Sequence, residues 1–173
     1  MEIRKAMPEE LDQVEAFYHA QIELILTFEY DAKWRKDVYP TRDFMEDSIE
    51  AGEMFIGLED DKIIAAMVVN HGYNEGYKKA KWQVEAKDDE IMVIHILAVL
   101  LSLGKKGLGK EMVQYAIDYA RANDQKVMRL DVLKGNVPAE RLYPKMGFKF
   151  IEEQVLYYED TDWMAFELYE LVL

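Results

Sequence analysis

One short stretch gathers the ingredients of an anion site: Val99-Leu100-Leu101-Ser102-Leu103-Gly104-Lys105-Lys106-Gly107-Leu108-Gly109-Lys110. Glycine has no Cβ, so successive backbone N–H groups can turn towards a single anion. The following segment places Leu108, Met112, Ala116 and Ala120 four apart. That spacing predicts a helix, Leu108 to Ala122, whose N-terminus adds partial positive charge at the same place. Lys105, Lys106 and Lys110 form a basic cluster in a chain with 21 Lys and Arg against 34 Asp and Glu, a net charge of −13. A phosphate-bearing ligand accounts for all three features.

The dinucleotide fingerprint G-x-G-x-x-G is not met, because the spacing here is G-x-x-G-x-G. Gly104 to Lys110 does fit G-x-x-x-x-G-K. However, Glu111 stands where Ser or Thr must hold magnesium, and its carboxylate would sit beside the phosphates. Nucleotide hydrolysis is opposed on that chemistry.

A second stretch, Asn136-Val137-Pro138-Ala139-Glu140-Arg141-Leu142-Tyr143-Pro144-Lys145-Met146-Gly147-Phe148, reads as a short punctuated helix. Asn136 suits the N-cap, Pro138 the first turn and Gly147 the C-terminal end, while Pro144 is awkward inside.

Together the two stretches resemble the two cofactor motifs of the GNAT superfamily of acetyltransferases. Gly104-Lys105-Lys106-Gly107-Leu108-Gly109 is similar to the superfamily's Gln/Arg-x-x-Gly-x-Gly/Ala turn, with Gly104 in the position usually held by Gln or Arg. Asn136, Ala139, Tyr143, Gly147 and Phe148 match its N-x-x-A-x-x-x-Y-x-x-x-G-F pattern. The resemblance implies acetyl-CoA as acyl donor. It places the acetyl thioester and pantetheine arm on backbone groups of Leu97, Ala98 and Val99, where the fourth and fifth strands splay apart. It puts the pyrophosphate on the amides of Lys105, Lys106, Gly107, Leu108, Gly109 and Lys110. Asn136 would face the pantetheine arm, and Tyr143 would reach the thioester sulfur.

Attack of an amine on a thioester needs a neutral amine, an oxyanion donor and a proton for the departing thiolate. A backbone N–H near Ala98 or Val99 suits the oxyanion. A Tyr hydroxyl titrates near 10 and a thiol at about 8.5, so Tyr143 stays protonated at neutral pH and can serve the sulfur as acid or hydrogen-bond donor. Plain packing beside Ala139 and Met146 is the alternative for that side chain. For the base, the fourth strand offers Glu90 at its start and His95, with a reference pKa near 6.5, in its middle. Most such histidines are hydrogen-bonded core residues. Trp34, Tyr39, Tyr73, Tyr77 and Trp82 are candidates for an acceptor wall or for packing.

The elements that must hold these groups follow from pattern. Glu2 to Ala6 reads as a strand, and from Pro8 the residues Leu11, Val14, Phe17 or Tyr18, Ile22 and Ile25 recur at helical spacing. Thr41 can cap a second helix, which Gly52 can end. Met54 to Leu58 and Ile63 to Asn70, joined through Glu59-Asp60-Asp61-Lys62, read as a hairpin. A polar loop, His71 to Asp89, leads to a buried strand, Glu90 to Val99. Beyond the glycine turn come Val127 to Val132, Phe148 to Tyr158 and Met164 to Leu173 as strands. The expectation is one domain over residues 1–173 of mixed α/β class. Its centre would be a mixed, mostly antiparallel sheet of six to seven strands with helices on both faces, as in GNAT proteins.

Composition narrows the function. There is no Cys and the 3 His are dispersed, so a Cys-based zinc site, a redox pair and a thiol nucleophile are excluded; no metal is expected. The negative charge disfavours nucleic acid; it could draw in a cationic amine, or serve solubility alone. The N-terminus lacks a signal-peptide core, and the longest apolar run, Ile91 to Leu101, is broken by His95 and too short to cross a bilayer. A cytoplasmic protein without membrane contact is expected. Its acceptor would be a small-molecule or peptide amine, and its aromatic, acidic tail is a candidate homodimer contact. The competing reading is a domain of GNAT fold that binds acyl-CoA as a sensor or partner module and does no chemistry.

Overall fold

A computed structural model describes residues 1–27, 33–100 and 107–173. In chain order the elements are β1 (Glu2–Lys5), α1 (Leu11–Ile25), α2 (Arg42–Glu50), β2 (Met54–Glu59), β3 (Lys62–Asn70), β4 (Ile91–Val99), α3 (Leu108–Ala122), β5 (Val127–Leu133), α4 (Val137–Lys145), β6 (Lys149–Tyr158) and β7 (Asp162–Val172). The seven strands follow the order β1-β2-β3-β4-β5-β7-β6. β4 and β5 run parallel, whereas β1–β2, β2–β3, β5–β7 and β6–β7 are antiparallel. The mixed, mostly antiparallel sheet expected from the sequence is present. Among the described residues no helix is long and apolar enough to cross a membrane.

The chain divides into two compact units, Met1–Val69 with His95–Tyr115, and Asn70–Ile94 with Ala116–Leu173. In the first, the helical spacing of α1 buries Leu11, Val14, Phe17 and Tyr18 against Met45 and Ile49 of α2 and against Met54, Ile56, Ala66 and Val68 of the hairpin. Trp34 and Tyr39 pack against the same core. The β2–β3 hairpin closes through Asp60 and Asp61 at φ 49° and 59°, the paired left-handed geometry of a tight two-residue turn, which Asp tolerates better than most side chains.

The Thr41 hydroxyl accepts the Phe44 N–H at 3.1 Å and caps α2. Thr41→Ala is expected to lower stability by about 1 kcal/mol, read from urea unfolding followed by circular dichroism. An unchanged midpoint and slope would show that the cap contributes nothing.

In the second unit the polar segment between β3 and β4 is less loop-like than its composition suggests. Tyr77 is buried, stacks on Tyr73 at 5.6 Å and is held by Trp82, whose indole N–H donates to the Tyr77 carbonyl at 2.8 Å. The chain approaches β6 closely there: a Cβ on Gly76 would stand 2.3 Å from a Leu156 methyl carbon. β7 is two residues longer at its start than its apolar pattern implies, because Asp162 and Trp163 still pair with Tyr158 and Tyr157. It is flanked by β5 and β6, and so its middle is buried and apolar at Phe166, Leu168 and Tyr169.

Candidate active site

The second half of β4 departs from regular strand geometry at one residue. Ile96 has φ 44°, and for a β-branched side chain that is a true outlier, costing about 1–3 kcal/mol unless its surroundings hold it. What holds it is visible. The fully buried Tyr18 of α1 donates its hydroxyl to the Ile96 carbonyl at 3.0 Å, and Ile96 and Ala98 are packed into the core of the first unit. His95, Leu97 and Val99 alternate with them and are part-buried. A left-handed residue inside a strand re-aims the backbone groups that follow it, here those of Leu97, Ala98 and Val99.

The parallel ladder from β4 to β5 comprises Ile91–Val127, Met92–Met128 and Val93–Arg129. It uses only the first three residues of β4.

Lys105 and Lys106, like Gly104, lie outside the described residues. The turn is described from Gly107, at φ 114°, a conformation that favours glycine. Among the described residues, a Cβ built there meets no atom within 4 Å. Leu108 is buried, Gly109 part-buried and Lys110 exposed, and the helix begins with the Glu111 N–H donating to the Gly107 carbonyl at 3.0 Å. A glycine at positive φ directly before a helix N-terminus is chemically suited to an anionic pyrophosphate.

Asn136 and Tyr143 belong to the second unit. The Asn136 side-chain oxygen accepts the Ala139 N–H at 3.4 Å, the Gly135 N–H donates to Glu140 at 2.6 Å, and Gly147 ends the helix region at φ 93°. Pro144 is accommodated inside α4 near its end. The Tyr143 ring is buried between Phe148, at 5.5 Å, and Tyr169, at 6.4 Å. Among the described residues its hydroxyl has no hydrogen-bonding partner. Burial, and then the Asp131 charge, push that hydroxyl well above its ordinary value, so it is protonated at any physiological pH.

Of the two base candidates, Glu90 lies in the short turn just before β4 rather than on the strand, and it is committed elsewhere. It accepts the Lys87 N–H at 2.9 Å, and this bond lowers its pKa, making it a poorer base. His95 sits part-buried one residue before the left-handed Ile96.

A further group was not singled out from the sequence. Asp131, part-buried on β5, accepts the Tyr77 hydroxyl at 2.7 Å and the Tyr158 hydroxyl at 2.6 Å, both on Oδ2. Burial raises its pKa, and the two hydroxyl donors offset this in part. Two residues earlier on the same strand, buried Arg129 donates to buried Glu170 at 2.8 Å and lies 4.3 Å above the Trp82 ring. Charged residues at alternate positions in an otherwise apolar strand were the available signal.

The fold and these motifs have relatives. Residues 18–148 match the model of the acetyltransferase (GNAT) family. A 74-residue segment is 30% identical to mycothiol acetyltransferase of Corynebacterium glutamicum, covering 43% of this chain and 25% of that relative. The chain thus spans about a quarter of that protein's length. Among solved structures, a GNAT-family acetyltransferase from Streptococcus agalactiae superposes with a TM-score of 0.78 at 22% identity, covering 99% of this chain and 95% of that one. The acetyltransferase yncA of Salmonella typhimurium, solved with its cofactor acetyl-CoA, gives 0.71 at 18% identity, covering 100% and 94%. The structures carry the fold, and the family match extends over more than half of the chain, across both motifs: the protein belongs to the GNAT acetyltransferase family.

Proposed function

We propose that this chain, acting as one GNAT domain over residues 1–173, is an N-acetyltransferase that moves the acetyl group of acetyl-CoA to a primary amine of a small molecule or peptide by direct attack. Acetyl-CoA supplies an activated acyl group as a thioester. The amine nitrogen forms a bond to the acetyl carbon, the carbon–sulfur bond breaks, the sulfur keeps the electron pair, and the amine gives up a proton.

The residues divide that work. Backbone groups of Leu97, Ala98 and Val99, re-aimed by Ile96, hold the acetyl and pantetheine portion and donate to the oxyanion. The amides of Lys105, Lys106, Gly107, Leu108, Gly109 and Lys110 receive the pyrophosphate. Asn136, whose oxygen is occupied as a helix cap, offers its NH2 to the pantetheine arm. His95 accepts the amine's proton. Tyr143 donates a hydrogen bond to the sulfur as negative charge builds there. Since its pKa is raised well above that of a thiol, complete proton transfer to the thiolate is uphill; stabilising the thiolate is the contribution.

The observation that carries this reading is the Tyr143 hydroxyl: in the motif position, protonated, on a buried ring, and bonded to nothing among the described residues. The oxygen is not among the fully buried unpartnered atoms, so it is reachable from outside and free to donate to a ligand. The test is release of free thiol from acetyl-CoA across a panel of primary amines, with the N-acetylated product identified by mass spectrometry. Amine-dependent thiol release is expected. Tight acetyl-CoA binding without turnover on any amine would replace the enzyme by a non-catalytic acyl-CoA-binding domain.

A further inference from the structure

Asp131 is a part-buried carboxylate without a cation. The nearest guanidinium on its strand, Arg129, is committed to Glu170, to the Val84 carbonyl at 3.0 Å and to the Trp82 face. Among the described residues no Lys, Arg or His pairs with Asp131. Both tyrosine donors converge on Oδ2, so Oδ1 accepts no hydrogen bond among the described residues. A carboxylate in such surroundings is favourable only when a positive charge or further donors complete it.

The hydroxyls are themselves fixed. Tyr77 is stacked on Tyr73 and tilted 5.2 Å from Trp82, and Tyr158 packs on Phe166 at 5.2 Å. The carboxylate is therefore oriented before any ligand arrives, with aromatic groups around it of the kind that favour an ammonium. It also lies within electrostatic reach of Tyr143, since its charge helps to raise the pKa of that hydroxyl.

We propose that Asp131, positioned by Tyr77 and Tyr158, is a subsite for an ammonium group of the acceptor, and specifically for the one that is not acetylated. An amine paired with a carboxylate keeps its proton and its lone pair cannot attack, so the group held at Asp131 is distinct from the nucleophile. The acceptor class is accordingly an alkyl diamine or longer polycation. This rests on the acyl-transfer reading and goes beyond it by naming the substrate class.

The experiment compares putrescine with n-butylamine, two acceptors of the same carbon length that differ in the distal charge. The unmodified protein is expected to prefer putrescine in kcat/KM by about 10- to 100-fold, and Asp131→Asn to collapse that preference towards unity. Calorimetric binding of putrescine without acetyl-CoA should weaken by a similar factor in the variant. Equal use of the two amines by the unmodified protein, a preference that survives Asp131→Asn, or absence of putrescine binding overturns the proposal. If the variant does not fold, the Asp131 carboxyl 13C resonance of the unmodified protein decides: it moves on adding putrescine, or the subsite is refuted. Failure of acetyl-CoA to bind the unmodified protein is a separate result, and sinks the acyl-transfer reading instead.

Discussion

Tyr143→Phe is expected to lower kcat by about 100-fold or more while acetyl-CoA affinity stays within a few-fold of the unmodified value. The change removes one oxygen and keeps the ring between Phe148 and Tyr169, so the packing of α4 is retained. The hydroxyl has no partner among the described residues, and hence its loss breaks no structural hydrogen bond. A fall in rate without a fall in stability isolates a role in the reaction. The rate itself should show no ionisation of this group across neutral pH: the proton is held well above the ordinary tyrosine range, and donation persists throughout. Steady-state thiol release and a thermal melt on the same preparation provide the check. An unchanged kcat would remove Tyr143 from the mechanism and leave it as packing.

Glu170→Ala is expected to destabilise the protein by about 3–5 kcal/mol, a large share of the ~5–15 kcal/mol that holds a domain folded. Glu170 and Arg129 are both buried, and each makes a second bond. Glu170 accepts the Gln83 N–H at 2.8 Å, and Arg129 reaches the Val84 carbonyl at 3.0 Å. Deleting the carboxylate strands the guanidinium in an apolar setting and frees the segment that carries Trp82. Replacing both, Arg129→Met with Glu170→Leu, should recover much of the loss, because the desolvation penalty disappears with the charges. Urea unfolding of the two variants tests this. A loss below about 1 kcal/mol for Glu170→Ala would mean that water reaches the guanidinium in solution.

The course of the chain was readable because local rules and tertiary packing agree over most of it. α3 begins and ends where its four-residue spacing does, and Thr41 caps α2 as its side-chain chemistry allows. The hairpin turns at Asp60-Asp61 because Asp accepts left-handed backbone. The family motifs similarly pointed to Tyr143 and the glycine turn.

What stayed hidden depends on distant contacts. Nothing in an apolar strand announces that Ile96 adopts φ 44°, since a β-branched residue is the last choice for it. The conformation is imposed by packing and by a hydroxyl 78 residues away. Tyr77 reads as part of a polar loop until Asp131, Trp82 and Tyr73 are placed around it. Asp131 and Arg129 stand two apart in a buried strand, a period that puts them on one face. Their different fates, one paired with Glu170 of β7 and one with Tyr77 and with Tyr158 of β6, are set by residues far away in the chain.

Everything proposed for the site depends on one binding step, and the most direct test is calorimetric titration of the pure protein with acetyl-CoA, with magnesium ATP as the control. The account predicts saturable one-to-one binding of acetyl-CoA and none of ATP. A folded protein that gives no heat with acetyl-CoA, or that takes up ATP selectively, would contradict it.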